Sequence, residues 1–325
     1  MKDIKDQLEV RVEKSVLTNE PLAKHVNFRI GGPADYFFLA ETNEDLVHIC
    51  QAAHELHVPY FLLGGGSNIL VLDKGVRGLV IKMGNKEMSI EGTEVTVDSG
   101  YILMDLTNKT AQVGLSGLEF GTGIYGTVGG AVRGNAGSYG TEIKDILVSC
   151  DAFVPEKGVV HFTNEDCQFE YRGSIFKEHP EMAVVKASFK LESADPKTIK
   201  ATIKDIAQKK YGAQPMRYPS SGCMFKNPTV SREDLERIKE ELPDLGEKSF
   251  WQTGSIGAGY LIERAGLKGK QIGGAQISEQ HASFIINKGN ATAEDVITLI
   301  SFVKQQVRDK FGVQLNEEVQ IVGEY

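Results

Sequence analysis

The strongest constraint on this sequence is a glycine-rich segment, residues 121–140, in which eight of twenty residues are glycine. So few side chains cannot build a core, and each glycine inside a regular element costs about 1 kcal/mol. Such a segment is tolerated where a ligand approaches the main chain closely. A flexible loop is the alternative, but Val128, Val132 and Tyr139 stand between the glycines, unlike in a linker. The segment therefore predicts a site for a planar or phosphorylated cofactor.

A second glycine loop, GGGSN at residues 64–68, lies between two predicted strands, 60–63 and 69–72. Because a strand follows it, the loop cannot be a Rossmann fingerprint, which opens a helix, and it lacks the Gly-Lys-Ser/Thr of a Walker loop. Two interpretations stay open: a hairpin turn, which this loop alone favours, and a nest of backbone N–H groups for a pyrophosphate. The glycines of residues 121–140 shift the balance toward the nest.

Composition bounds the class of protein. The chain has 325 residues, of which 41% are hydrophobic and 25% charged, as expected for a globular protein of about two domains. A formal net charge of −8 argues against wrapping nucleic acid by counterion release. The N-terminus is charged and no run of 18 apolar residues occurs, so we expect a cytoplasmic protein that does not enter a membrane.

The cysteines indicate a reducing compartment and no metal. Cys50, Cys150, Cys167 and Cys223 lie far apart in the sequence, with no CxxC pair and no histidine at metal-ligand spacing. We therefore expect reduced thiols and no metal site.

Apolar periodicity predicts three capped helices: one after Thr42, one between Ser231 and Pro243, and one after Thr292 with an apolar stripe to Phe311. Apolar runs predict strands at 60–63, 69–72, 79–83, 94–98, 184–191, 282–287 and 317–322. A Pro-, Gly- and Ser-rich stretch predicts a domain boundary near residue 213. The last strand is expected to return and pair beside the pocket.

Seven motifs in a fixed order carry a resemblance. They are NFRIGGPADYF, LLGGGSNILV, GTVGGAVRGNAGSYG, FEYRGSIFK, SSGCMFKNP, LKGKQIGGAQISEQHASFIIN and LNEEVQIVG. Together they resemble the UDP-N-acetylenolpyruvoylglucosamine reductase family of peptidoglycan precursor synthesis, over about residues 20–323. The short chain between FKEHPEMAVVKASFKL and Gln214-Pro215 resembles the branch without the extra tyrosine-bearing substrate loop.

The resemblance implies an α+β chain with an FAD-binding fold of the vanillyl-alcohol-oxidase (PCMH) type. It implies two FAD-binding subdomains (1–86 and 87–213), a smaller α+β substrate domain (214–311) and a C-terminal strand (312–325) that closes the active site. It also implies non-covalent FAD, NADPH as hydride donor and a UDP-sugar substrate. The residues that match the family's flavin-binding positions are Arg29, Gly64, Gly65, Gly66, Ser67, Asn68, Gly121, Gly123, Gly126, Thr127, Gly129, Gly130, Asn135 and Gly137.

The resemblance also assigns substrate-binding residues. These are Lys226, Asn227 and Lys268 for the phosphates, and Gln280 or His281 for the sugar or pyruvyl part. Ala213 stands where the family commonly has a basic residue, which leaves Lys209 and Lys210 as partial substitutes for gripping phosphate.

Three residues match the family's catalytic positions: Arg172, Glu318 and, where the family frequently has serine, Cys223. The fork of an arginine suits a carboxylate whose charge grows in the transition state. A carboxylate beside an enolate would repel it, so we expect the pKa of Glu318 to be raised, or the residue to act indirectly. A thiol, with a reference pKa of about 8.5, is a stronger acid than a hydroxyl, so Cys223 can protonate carbon. We also expect only one of Glu317 and Glu318 to face the pocket, since neighbours in a strand point to opposite faces.

Each residue also has a purely structural interpretation: a surface ion pair for Arg172, an inert buried thiol for Cys223 and a solvent-facing glutamate at 318. Two other functions stay open. One is an FAD-dependent alcohol oxidase with the same cofactor fold, and the other is a nucleotide-binding module without redox chemistry.

Overall fold

The structure, a computed structural model, describes residues 3–243, 245 and 254–324. Its α-helices within these ranges are α1 (Ile4–Val12), α2 (Asn43–Glu55), α3 (Leu103–Gln112), α4 (Val128–Arg133), α5 (Ile175–Glu178), α6 (Pro196–Ala213), α7 (Arg232–Glu241), α8 (Ala258–Arg264) and α9 (Ala293–Phe311). The three predicted helices are confirmed as α2, α7 and α9, because the hydroxyls of Thr42, Ser231 and Thr292 each accept the backbone N–H three residues on. None of the helices in the described part of the chain is long and apolar enough to cross a membrane.

The strands are β1 (Leu17–Pro21), β2 (Pro33–Ala40), β3 (Tyr60–Leu63), β4 (Ile69–Val71), β5 (Val76–Met83), β6 (Met88–Glu91), β7 (Glu94–Asp98), β8 (Leu115–Ser116), β9 (Gly137–Ser138), β10 (Thr141–Glu142), β11 (Leu147–Val154), β12 (Gly158–Thr163), β13 (Ala183–Lys190), β14 (Glu192–Ser193), β15 (Ser220–Cys223), β16 (Gln271–Ile272), β17 (Ala275–Ile277), β18 (Phe284–Asn287) and β19 (Gln320–Val322). Every predicted strand is present, and those at 60–63 and 94–98 have the predicted ends.

One detail of the prediction is wrong. The last strand begins at Gln320, not at residue 317, because the amides of Glu318 and Val319 both point to the Met224 carbonyl oxygen and leave strand geometry. The alternation argument about Glu317 and Glu318 therefore does not apply. The segment 121–140 contains helix α4, unlike the flexible loop that was the alternative interpretation.

The chain forms two compact units. The first contains residues 3–21, 33–66 and 76–212. It has a four-stranded sheet in the order β1-β2-β5-β3 and a five-stranded sheet in the order β12-β11-β13-β7-β6. One apolar core, with Leu46, Ile49 and Ile81, joins α2 to the four-stranded sheet, and a second, with Phe176 and Phe189, underlies the five-stranded sheet.

The second unit takes residues 22–32, 67–75 and the described residues from 213 onward. Its main sheet is antiparallel in the order β15-β18-β17-β16, and β19 pairs in parallel with β4. Phe28 and Leu70 share one core with Val303 and Phe311 of α9. The predicted domain bounds at residues 86, 213 and 311 stay predictions.

Candidate active site

In the first unit, the two glycine loops lie against each other. A Cβ placed on Gly64 would lie 2.5 Å from Thr127 Oγ1, and one on Gly65 would lie 2.7 Å from the Tyr125 carbonyl oxygen. Real Cβ atoms do not approach other heavy atoms so closely. Packing within the protein therefore requires glycine at residues 64 and 65, whether or not a ligand is bound. We call residues 64–66 and 121–130 the glycine cradle.

Hydrogen bonds fix the second half of the cradle to residues 99–103. The amide of Leu103 donates to the Gly126 carbonyl oxygen at 3.0 Å, and the amide of Gly129 donates to the Ser99 carbonyl oxygen at 2.8 Å. Thr127 then caps α4, its hydroxyl accepting the Gly130 amide. The backbone of the cradle is therefore held before any ligand arrives.

Several glycines of this region are required for packing. A Cβ on Gly121 would lie 2.5 Å from Thr107 Oγ1, one on Gly129 would lie 2.8 Å from Ser99 Cβ, and one on Gly137 would meet Glu142 at 2.6 Å. Gly66 and Gly123 need glycine for a different reason, because their φ angles are 65° and 73°. These contacts and backbone angles explain the glycines at these five positions without a ligand.

Gly130 is the informative exception. Apart from the backbone of its own helix, the nearest described atom to a Cβ there is Thr127 Oγ1, at an ordinary 3.6 Å. Nearby in the sequence, the Thr122 hydroxyl is buried and has no hydrogen-bond partner among the described residues. Open space over a glycine and an unsatisfied buried hydroxyl both fit a ligand at the main chain, so the residues present fit a bound dinucleotide.

Two lysines support the cradle from within the protein. The ammonium of Lys82 donates to the Gly64 carbonyl oxygen, and that of Lys210 donates to the Thr122 carbonyl oxygen, each at 2.5 Å. Burial lowers the pKa of Lys82 and of Lys210 to about 8. Lys209 instead pairs with Asp205 on the exposed face of α6. Lys210 therefore donates to the cradle, and its role as a partial substitute for a phosphate-gripping base stays a prediction.

Arg172, also in the first unit, lies in a tight turn closed by Glu170 and Gly173. Its φ of 58° is in the left-handed region, which is unusual for a residue with a side chain. The guanidinium donates to the Gly137 carbonyl oxygen at 3.1 Å and lies 3.9 Å from a Glu142 carboxylate oxygen. The side chain is 24% exposed. Arg172 is thus held in place, yet it keeps access to solvent.

Asn135 organises the same region and is fully buried. Its amide nitrogen donates to Glu142 Oε2 at 2.9 Å and to the Glu170 carbonyl oxygen at 3.0 Å, and its oxygen accepts the Lys144 amide. Asn135 therefore joins the turn that carries Arg172 to the carboxylate beside it.

The second unit brings Cys223, Glu318 and Asn68 onto neighbouring backbone. Cys223 ends β15, is partly exposed and follows Gly222, whose φ is 80°. The next residue, Met224, accepts the Glu318 amide at 2.8 Å. Asn68 contacts the same segment, because its side-chain amide donates to the Glu318 carbonyl oxygen at 3.1 Å.

Ser221, two residues before Cys223, is buried, and its hydroxyl points to the Met224 sulfur at 3.9 Å. The strand therefore offers a partly exposed thiol and a buried hydroxyl, and only the thiol is placed to reach a ligand.

The residues that resemble substrate contacts have partners inside the second unit. Asn227 accepts the Ala258 amide at the start of α8 at 3.0 Å, and Lys268 pairs with Glu263 at 2.8 Å. The Lys226 amide donates to Asn316, and Gln280 is exposed. Their substrate roles stay predictions.

Burial lowers the pKa of His281, and the positive charge of Lys268 adds to the effect, so the ring is neutral at neutral pH. Its Nδ1 accepts the Ser283 amide at 3.3 Å. Arg29 lies exposed in a turn at φ 55°, and its role at the flavin stays a prediction.

Comparisons with known proteins decide the family. A UDP-N-acetylenolpyruvoylglucosamine reductase from Syntrophomonas wolfei is 40% identical over 94% of this chain and 94% of its own length. The chain belongs to this reductase family. The enzyme of the same name from Bacillus subtilis is 37% identical over 99% of both chains. The crystal structure of UDP-N-acetylenolpyruvylglucosamine reductase from Thermus caldophilus superimposes with a TM-score of 0.74 at 31% identity, covering 95% of this chain and 98% of that one.

Two family models divide the chain. A model described as an FAD binding domain matches residues 34–163, and one described as the C-terminal domain of the reductase matches residues 214–322. The predicted α+β fold, with an FAD-binding domain of the vanillyl-alcohol-oxidase type, is therefore confirmed, and FAD is its cofactor.

Sequence reasoning missed several residues of this reductase. They are Lys82, Thr122, Glu142 and Ser283, whose hydroxyl is also buried without a partner among the described residues. No spacing pattern indicated them, because each acquires its role from contacts made only in the folded chain. In the described ranges no group of three His, Cys, Asp or Glu side chains could hold a metal ion.

Proposed function

We propose that this chain reduces the enolpyruvyl ether of UDP-N-acetylglucosamine to the lactyl ether, UDP-N-acetylmuramate, for peptidoglycan precursor synthesis. The supporting observation is 40% identity to a reductase of that name across 94% of both chains, which a shared cofactor domain alone would not give. The small-molecule partners are the UDP-sugar and NADPH, and the proposed location is the cytoplasm.

The glycine cradle is the proposed FAD site. Gly64, Gly65, Gly66, Thr127 and Gly130 present main chain there, and Thr122 offers an unsatisfied hydroxyl. When bound, FAD supplies two-electron chemistry: it accepts a hydride from NADPH and passes one to the terminal enolpyruvyl carbon. Gly121 and Gly129 pack within this backbone and need not touch the cofactor.

Arg172 is proposed to bind the substrate carboxylate. Hydride addition to the terminal carbon places negative charge on the adjacent carbon and on its carboxylate, so a fixed guanidinium stabilises the transition state more than the ground state. The hydrogen bond to Gly137 orients the guanidinium before the reaction. A pre-oriented donor loses little free energy to reorganisation when the charge develops.

Cys223 is proposed to donate the proton that completes the reaction. The thiol S–H bond breaks, a C–H bond forms at the carbon next to the carboxylate, and the thiolate is reprotonated from water. The partly exposed position of Cys223 allows that return of a proton.

Glu318 is proposed to act from the neighbouring segment. Its backbone is fixed at both ends, by the Met224 carbonyl oxygen and by the Asn68 amide, so its carboxyl group starts from a defined place. In the protonated form it would donate a hydrogen bond to the developing enolate, and it would not repel it.

The test is an anaerobic experiment in two steps. NADPH is mixed with the flavin-loaded protein, the enolpyruvyl substrate is added second, and the flavin spectrum is followed throughout. In Cys223→Ala, bleaching by NADPH should be unchanged while reoxidation by substrate slows by about 10²–10⁴-fold, the usual contribution of a general acid. Cys223→Ser should recover part of the rate.

Ser221→Ala is the matched control, since it lies on the same strand but its hydroxyl points to Met224. Both steps should be unchanged in it. Normal reoxidation in Cys223→Ala would refute the thiol as proton donor. A protein that stays colourless with FAD would favour the nucleotide-binding module, and substrate-independent turnover of an alcohol with oxygen would favour the oxidase.

A further inference from the structure

Two cysteines that are separate in the sequence meet in the core of the first unit. The sulfur atoms of Cys150 and Cys167 lie 3.7 Å apart, and the two residues are 2% and 0% exposed. Cys150 lies in the middle of β11, between β12 and β13, and Cys167 ends the 3-10 turn Glu165–Cys167 that follows β12. Neither thiol belongs to the proposed catalytic group.

Both cysteines are held in this position by well-formed local structure. Cys150 pairs with Phe162 on one side and Ala187 on the other. At Cys167, the preceding turn is fixed by Asp166, whose carboxylate accepts hydrogen bonds from the Thr163 amide at 2.9 Å and from the Thr163 hydroxyl at 2.6 Å. The backbone thus holds the two sulfurs close before any bond forms.

The remaining distance is small. A disulfide bond is about 2.05 Å long. The sulfurs must therefore approach by less than the width of one atom for the bond to form. Cys167 also lies between two exposed residues, Asp166 and Gln168, so a short opening of the turn gives a small oxidant access.

We infer that Cys150 and Cys167 form a dithiol site that a hydroperoxide oxidises to an intramolecular disulfide. The Cys167 thiolate attacks the peroxide oxygen, which gives a sulfenic acid and releases hydroxide. The Cys150 sulfur then attacks the Cys167 sulfur, the S–S bond forms and water leaves. In total, two thiols and one H₂O₂ give one disulfide and two waters.

The order of the two steps follows from the hydrogen bond between the thiols. Donation from Cys150 lowers the pKa of Cys167, whereas the same contact raises the pKa of Cys150. Since the thiolate is the reactive form, Cys167 reacts first and Cys150 resolves the sulfenic acid.

Cys50 provides an internal control. It is fully buried in the other core of the same unit, and burial strongly raises the pKa of its thiol. Cys167 is equally buried, so the difference lies in the thiol pKa, which is raised at Cys50 and lowered at Cys167, and the thiol with the raised pKa reacts more slowly. We expect the free thiols of Cys150 and Cys167 to disappear at least about tenfold faster than that of Cys50. A tenfold rate difference corresponds to about 1.4 kcal/mol of activation free energy.

The experiment treats the flavin-loaded wild-type protein with excess hydrogen peroxide, then unfolds it in the presence of an alkylating agent. Titratable thiols should fall from the four of the sequence by two, in addition to any oxidation of the partly exposed Cys223, and a peptide that joins residues 150 and 167 should appear in the digest. Dithiothreitol should restore both thiols. The same treatment of a Cys223→Ser protein removes the partly exposed thiol as a source of other products.

Unfolding stability gives a second readout, which does not depend on thiol alkylation or on the peptide digest. A disulfide that closes the loop between residues 150 and 167 shifts the unfolding equilibrium toward the folded state by roughly a hundredfold. The urea midpoint should therefore rise on oxidation and fall again on reduction, and in Cys167→Ser it should not move. If residues 150 and 167 both remain alkylatable, if either is joined to Cys50 or Cys223, or if Cys167 is found only as sulfinic acid, the proposal is wrong. Because these readouts do not use turnover, the result is separate from that for the proposed function.

Discussion

Replacing Gly130 with alanine separates two reasons for a glycine in the cradle. Inside the protein, the added methyl group would meet Thr127 Oγ1 at 3.6 Å, which is ordinary contact. Alanine is also favoured over glycine in a helix by about 1 kcal/mol. The unfolding free energy of the protein without flavin should therefore rise by about 0.5–1 kcal/mol.

The same methyl group fills the space proposed for FAD. If it prevents one backbone N–H from reaching a charged phosphate oxygen, it removes about 1.5–3 kcal/mol of binding free energy. That loss weakens FAD binding by roughly 10- to 150-fold, at about 1.4 kcal/mol for each factor of ten. Stability and cofactor affinity should thus change in opposite directions.

The assay is titration of the flavin-free protein with FAD, followed by flavin fluorescence, together with urea unfolding of the same preparation. Gly212→Ala is the matched control, since it is a glycine of helix α6 where, apart from the backbone of its own helix, a Cβ meets no described atom within 4 Å. Its FAD affinity should equal that of the wild type. FAD affinity within twofold of the wild type in Gly130→Ala would refute the assignment of this face to the cofactor.

Other predictions follow from contacts of single side chains. Burial lowers the pKa of Lys210 to about 8, so between pH 8 and about 10.4 the folded chain binds fewer protons than the unfolded chain. The unfolding free energy should therefore rise with pH across this window. Urea unfolding should show that Lys210→Met lacks this contribution. Asn227→Ala should lower the unfolding free energy by about 1 kcal/mol through loss of the bond to the Ala258 amide, and an unchanged KM for the UDP-sugar would assign Asn227 to the helix alone. Glu142→Gln should lower kcat/KM by no more than about fivefold, since a partly exposed ion pair contributes at most about 1 kcal/mol. Arg172→Ala should lower kcat/KM by more than about 10²-fold. Equal losses in the two variants would contradict a separate role for Arg172.

Local patterns predicted the parts of the fold that local forces determine. The helix after Thr292 follows from its cap and its apolar stripe, and both are contained within α9 and its first turn. The strand at 60–63 follows in the same way from its own residues. The start of the last strand could not be found like this, because Glu318 and Val319 bend toward Met224, which is remote in the sequence.

The candidate site shows the same difference between features that local sequence determines and features that depend on remote contacts. Glycine clusters indicated where main chain is exposed, and motif order placed Arg172, Cys223 and Glu318 as candidates. The packing glycines could not be separated from the open one at Gly130, since that distinction depends on Thr107, Ser99 and Glu142 as neighbours. The encounter of Cys150 with Cys167 likewise depends on where β12 returns against β11, which no cysteine spacing encodes.

The pairing of β4 with β19 has a consequence for synthesis on the ribosome. Ile69–Val71 leaves the ribosome long before its partner Gln320–Val322 is made. Phe28 and Leu70 also depend on later residues, because their core neighbours include residues of α9. Until those residues have been made, these apolar side chains lack their native neighbours, so nascent chains of this protein should depend on chaperones more than their size alone suggests.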